Sequence, residues 1–253
     1  MDTQKRIIII GAGITALRAA LEIAQKSECH ILILEKSKSV GGRVATRRFG
    51  DLSVNHGTEN FNGLNRVLKT DPFAEKLIED SFFLTRATDL PKKMRDELLL
   101  NFKSKVEFKF NWEVSKIEES DLKYDHMLIT APVPQAEKLT GVLVPGVEYH
   151  KSILFLGLRE DKIQRIEMDH KWSEDNFELS DEEILRAAKL EELQVKKWRY
   201  ARVKKGRNES FLEIKKNILL AGDAFDPDQE FNLGSSWLSG LFAGREILRR
   251  IHE

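Results

Sequence analysis

The chain has 253 residues, enough for one large or two intimately joined domains with a real core. Its 41 basic and 41 acidic residues balance, which removes any global pull toward nucleic acid or an anionic membrane. The single cysteine, Cys29, excludes an internal disulfide and fits a reducing compartment, and no apolar run approaches the roughly 20 residues that span a bilayer.

In chain order, Ile7 to Ile10 come first: four β-branched residues without alternation, as expected of a parallel strand buried on both faces. They run into Gly11-Ala12-Gly13-Ile14-Thr15-Ala16. Gly11 permits a tight turn, and Gly13 lets a pyrophosphate approach the backbone. Ala16 lets the following helix pack on the strand. That helix, starting near Ile14, aims free N–H groups and its positive dipole end at the phosphates. A second apolar run, Ile31 to Leu34, ends in Glu35, 22 residues beyond Gly13. A carboxylate there accepts the hydroxyls of an adenosine ribose and repels a 2′-phosphate, which argues against NADP at this position. Cys29 reads as a core or near-surface thiol at the end of the first helix. The N-terminus enters a strand at once and leaves no room for a signal peptide, so a cytoplasmic location is expected.

The next segment, Glu35-Lys36-Ser37-Lys38-Ser39-Val40-Gly41-Gly42-Arg43-Val44-Ala45-Thr46, resembles the second glycine motif of the amine-oxidase and renalase group of FAD enzymes. The resemblance places Gly42 against the pyrophosphate and Arg43 near its charge, a task that suits a planar guanidinium. Arg47 and Arg48, taken alone, are a solvated basic surface.

Further along, Asn55-His56-Gly57-Thr58-Glu59-Asn60-Phe61 is similar to a family stretch usually read as Asp-His-Gly-Ala-Gln-Tyr-Phe. Trp112-Glu113-Val114 resembles the strand whose backbone meets the adenine, at Val114. Tyr124 to Pro132 resembles the strand closing the cofactor domain. Lys197-Trp198-Arg199-Tyr200-Ala201 resembles a signature of bacterial renalase-like proteins. Asn217 to Ala224 reads as a short buried strand ending in Gly222-Asp223, and that aspartate resembles the one binding the ribityl chain. Leu233 to Gly240, Ser239 included, opens a helix with apolar residues Leu241, Phe242, Ile247, Leu248 and Ile251. The family's helix aims its N-terminus at the flavin. The family usually carries an acid near the position of Gly234, and this chain does not.

The resemblance implies an α/β protein: a Rossmann-like FAD-binding domain of the two-glycine-motif type over 1–60, 101–135 and 206–253, with a reduced, mixed α+β substrate domain over 61–100 and 136–205. Pro132, Pro134 and Pro145 mark a loop leaving the cofactor domain, and Gly206 marks re-entry. Ser173 to Glu192 is rich in carboxylates and reads as one exposed acidic helix. FAD would be bound without a covalent link, since Cys29 precedes the second strand and lies near the adenosine end. The implied cofactor contacts are Gly11, Gly13, Ile14, Thr15, Ala16, Glu35, Lys36, Gly42, Arg43, Val114, Gly222, Asp223 and Ser239. His56, Trp198 and Tyr200 are candidates for lining the flavin, although His56 reads equally as a packed histidine, and Trp198, Tyr200 and Trp237 as core aromatics.

No nucleophilic Ser/His/acid set is spelled out, and one cysteine makes a zinc site improbable. The resemblance implies oxidation of a small molecule, a reduced nicotinamide-type compound or an amine, with hydride passing to flavin N5 and oxygen giving hydrogen peroxide. Two other readings stand beside it: an FAD-binding protein without turnover that acts as an interaction module through its acidic helix, and an NAD-binding protein without flavin. No nucleic-acid or membrane partner is expected, and the oligomeric state is open.

Overall fold

The structure is a computed structural model and describes residues 4–78, 86–118, 121–159 and 162–253. The isoleucine run forms β1 (Arg6–Ile10). It lies between β2 (His30–Leu34) and β6 (His126–Ile129), parallel to both. Beyond β2 lies β5 (Val106–Lys109), and beyond β6 lie β11 (Ile218–Leu220) and an antiparallel edge strand, β10 (Leu212–Lys215). Both faces of this six-stranded sheet are covered, which explains the unbroken apolar runs. Ile7, Ile9, Ile31 and Ile33 face the helices α1 (Ile14–Lys26) and α8 (Leu233–His252). Ile8, Ile10, Leu32 and Leu34 face Val133 and Ala136 of α5 (Val133–Thr140) on the other side. Pro132 and Pro134 therefore start a helix rather than a loop: Pro132 is its N-cap, where the missing N–H costs no intrahelical bond.

Helices α1 and α8 cross at backbone contact. A Cβ on Gly240 would sit 2.3 Å from the Thr15 carbonyl oxygen, and one on Gly244 would sit 3.1 Å from that of Ala19. The crossing is pinned by a buried polar cluster. The Arg18 guanidinium donates to Asp71 at 2.5 and 3.1 Å and to Glu22 at 2.8 Å, and the Trp237 indole donates to Asp71 at 2.7 Å. Burial opposes the Asp71 charge, but the bonds from Arg18 and Trp237 outweigh it and hold the carboxyl below its usual range. Trp237 is thus a packed residue that spends its N–H on Asp71.

Helices α2 (Leu64–Thr70), α3 (Ala74–Leu77) and α4 (Asp89–Asn101) join this same core through Leu64, Val67, Leu77, Met94 and Leu98. The expected grouping put 61–100 with the cap; these side chains pack with α1 and α8. Residues 79–85 and 160–161 of the expected cap stretches lie outside the described residues.

The second sheet is antiparallel and three-stranded, ordered β8-β7-β9: β7 (Glu148–Arg159), β8 (Lys162–Glu167) and β9 (Gln194–Lys205). Ser173 to Glu192 covers it with two short helices, α6 (His170–Asn176) and α7 (Asp181–Ala188), rather than one exposed helix. Phe177 and Ile184 bury against Ile153 and Phe155 while the carboxylates face solvent. A capping box, Ser180 with Glu183, starts α7 and separates the two. A hairpin, β3 (Thr46–Phe49) and β4 (Leu52–Asn55), stands beside β8. Among the described residues no helix is long and apolar enough to cross a membrane.

Candidate dinucleotide site

The end of β1, the end of β2 and the second glycine motif are laced together by short bonds. The Gly11 N–H donates to the Leu34 carbonyl at 2.8 Å and the Gly41 N–H to the Ala12 carbonyl at 2.9 Å. Gly11 is indispensable to this turn: its φ is +103°, and a Cβ would sit 2.5 Å from Thr130 Oγ1. Gly13 is different. Its φ of −80° suits any residue, and an added Cβ would meet nothing within 4 Å. A Cβ on Gly42 would meet only the Gly13 Cα, at 3.5 Å. The two glycines therefore form a bare cradle over the start of α1. That start has no side-chain cap and no acid in its first turn, so the N–H groups around Ile14, Thr15 and Ala16 are free of internal competitors. The cradle fits a pyrophosphate.

Glu35 stands behind it, buried. Its Oε2 accepts from the Ala12 N–H at 2.8 Å, and its Oε1 from the Ser37 N–H at 2.7 Å. An ionised carboxylate offers about four acceptor positions, so Oε2 keeps a lone pair for a ribose hydroxyl. Lys36 is exposed beside it. Trp112 to Val114 form a loop here, not a strand, in correction of the expectation. The loop still runs along Glu35, because Asn111 and Trp112 donate to the carbonyls of Ser37 and Glu35, each at 3.0 Å.

At the other end of the cradle, Arg43 donates to Asp223 at 2.6 Å and to the Tyr200 carbonyl at 3.1 Å. Burial works against the arginine's charge, and the Asp223 carboxylate outweighs it, raising the pKa further. Tyr149 packs edge-on to Tyr200, centroids 5.4 Å apart, and burial followed by the charge of Asp223 raises its pKa. His56 lies directly on the second motif: its N–H donates to Ala45, the Thr58 N–H donates to the Arg43 carbonyl, and a Cβ on Gly57 would sit 1.8 Å from that oxygen. The His56 ring stacks on Trp198 at 5.6 Å, and the Trp198 indole donates to the His56 carbonyl at 2.7 Å. Burial first, then Lys196, Arg47 and Arg165, pushes the His56 pKa down to about 4. His56 is neutral at pH 7, and its Nδ1 is buried.

Five separated segments thus bring Arg43, His56, Tyr149, Trp198, Tyr200 and Asp223 together. Sequence reading missed Tyr149, which lay in no motif; Arg47 is exposed, as expected.

Three expected contacts have other partners. The Thr15 hydroxyl donates to the Ser236 carbonyl at 2.9 Å, so only its backbone faces the cradle. The Ser239 hydroxyl accepts from the Gly222 N–H at 2.9 Å and donates to the Ser210 carbonyl at 2.6 Å, which makes it a positioning group for the Gly222-Asp223 turn. Three donors at the start of α8 are taken: Gly234 donates to the Asn62 carbonyl, Ser235 to the Asn232 side chain and Ser236 to the Asn232 carbonyl. An acid at position 234 would not fit either, because a Cβ there would sit 2.9 Å from the Gly63 Cα. A cleft of about 460 Å³ beside Arg66, Lys69 and Glu230 lies at α2 and is lined by none of the expected site residues.

Residues 9–75 match the model of the NAD(P)-binding Rossmann-like domain family. Over 60 residues, 24% of this chain, the sequence is 38% identical to polyamine oxidase 7 of Oryza sativa subsp. japonica; the match spans only 13% of that protein. Across 99% of this chain and all of the other, the fold is similar to the crystal structure of a candidate protoporphyrinogen oxidase from Exiguobacterium sp. 255-15, with a TM-score of 0.63 and 13% identity. Residues 9–75 therefore carry the sequence pattern of an NAD(P)-binding Rossmann-like domain, and the fold of the whole chain is similar to that structure end to end.

Proposed function

We propose that this protein is a renalase-like FAD-dependent oxidoreductase that takes hydride from a small reduced nicotinamide-type or amine donor. The observation that carries this reading is the apposition of Gly13 and Gly42 over an uncapped helix start, with Glu35 behind and Asp223 ahead. Gly13 leaves open a space that neither its backbone angle nor its packing requires, whereas Gly42, at a φ of +58°, also serves the turn. When bound, FAD supplies N5 as hydride acceptor and a reduced ring that oxygen reoxidises, giving hydrogen peroxide.

The chain's own part is to hold and orient. The α1 start and the glycine cradle hold the pyrophosphate, Glu35 holds the ribose, and Asp223 holds the polyol while Arg43 fixes its angle. Trp198 and Tyr200 shield the far end from water. Neutral His56 offers a ring nitrogen there without adding charge. The small-molecule substrate and a cytoplasmic setting belong to this proposal.

The test is the visible spectrum of the purified protein during anaerobic addition of mixed reduced nicotinamide isomers. A flavin spectrum that bleaches and returns with oxygen, with peroxide released, supports the proposal. A colourless protein that takes up no added FAD overturns it. One observation favours a second reading, flavin binding without turnover. The α8 donors expected at the ring are already bonded to Asn62 and Asn232. A stable flavin spectrum that no donor bleaches would select it.

A further inference from the structure

The hairpin and the second sheet place an unusual set of cations around the His56–Trp198 stack. Arg165 is neutralised: it meets Glu59 at 3.2 Å and Glu167 at 3.0 Å, and donates to the Asn55 carbonyl. Lys196 and Arg47 are not. Among the described residues neither has a carboxylate partner. Aromatic faces hold them instead. The Lys196 ammonium lies 4.4 Å from the centre of the Trp198 ring, and the Arg47 guanidinium 5.6 Å from that of Phe49. Each also bears electrostatically on His56, and Arg47 bears on Lys196, which burial and this neighbour make easier to deprotonate. A half-buried and an exposed cation, neither with a carboxylate partner among the described residues, leave a local positive field that an anion would relieve. The buried Nδ1 of His56 lies on the same stack.

We propose that Lys196 and Arg47 form an oxyanion seat beside the His56–Trp198 stack, so that the protein prefers small ligands bearing a carboxylate or phosphate and disfavours cationic amines. That such a ligand is the hydride donor rests on the oxidoreductase reading; the seat itself does not.

Titration calorimetry of the full chain with three pyridines of equal shape tests it: nicotinate, nicotinamide and 3-(aminomethyl)pyridine, which carry negative, zero and positive charge. Nicotinate should bind at least about tenfold more tightly than nicotinamide, and the amine most weakly. Lys196→Met and Arg47→Met should each weaken nicotinate by about tenfold and leave nicotinamide unchanged, and Lys196→Arg should restore the preference. Equal binding of all three, tighter binding of the amine, or unchanged nicotinate binding in the methionine variants overturns the seat. Flavin absorbance is read on the same samples. A protein that takes up no FAD yet prefers nicotinate keeps the seat and refutes the oxidoreductase; a flavoprotein without the preference does the reverse.

Discussion

Arg43 and Asp223, 180 positions apart in the chain, meet at 2.6 Å. One lies in the second glycine motif and the other in the turn after β11, so a single ion pair ties together the two ends of the candidate dinucleotide site. Asp223 is buried and Arg43 partly so, and loss of either partner leaves the other desolvated. Asp223→Asn should retain the fold and weaken FAD binding by about tenfold or more, since hydrogen bonds to charged groups contribute about 1.5–3 kcal/mol. Fluorescence titration with FAD reads it; unchanged affinity would remove Asp223 from the site.

The two faces of the first glycine motif separate folding from binding. Gly13→Ala should be silent for stability, because the backbone angle is ordinary and the space is empty. Gly13→Glu should fold equally well and lose its flavin, since it sets a carboxylate where the proposed pyrophosphate would sit. Thermal melts with flavin content distinguish the two roles. A Gly13→Glu protein that keeps its flavin would show that the cradle holds something else.

His56 gives a pH signature. Its pKa is near 6.5 in the unfolded chain and about 4 in the folded one. Between those values the unfolded state binds the extra proton. Stability from this group is therefore complete above pH 6.5, falls as the pH drops toward 4, and levels off below that. Urea midpoints across this window should fall more steeply for the native protein than for His56→Gln. Parallel curves would mean that His56 is solvated.

The Arg18–Asp71–Trp237 cluster should dominate core stability. Asp71→Ala leaves the Arg18 charge buried with only Glu22 and strips the Trp237 N–H of its acceptor, and removing one partner of such a pair costs about 3–5 kcal/mol. Urea unfolding measures it. A loss below about 1 kcal/mol would show that the cluster is hydrated.

Much of the nucleotide end was legible in the residues because its physics is local. Ile7 to Ile10, Gly11, Gly13 and Glu35 each do their work within a turn or a neighbouring strand. The far end was less so. That Ser239 bonds Gly222, or that Asn232 and Asn62 take up the α8 donors, follows from contacts between distant segments that no spacing encodes. The run from Ser173 to Glu192 misled because its carboxylates outnumber the few apolar side chains, Phe177 and Ile184, that set its position. Trp112 to Val114 were expected in a strand, yet the ladder stops at Lys109 and the chain turns through Asn111 at a φ of 54°.

The contact of Gly240 with Thr15 also has a temporal side. Helix α1 leaves the ribosome long before α8, and its Thr15 hydroxyl rests on Ser236, 221 positions later. Until α8 emerges, the side of α1 that it covers is bare and the Thr15 hydroxyl lacks its acceptor. Nucleotide capture must therefore be a late event in the life of the nascent chain, and chains halted before residue 233 should emerge without cofactor.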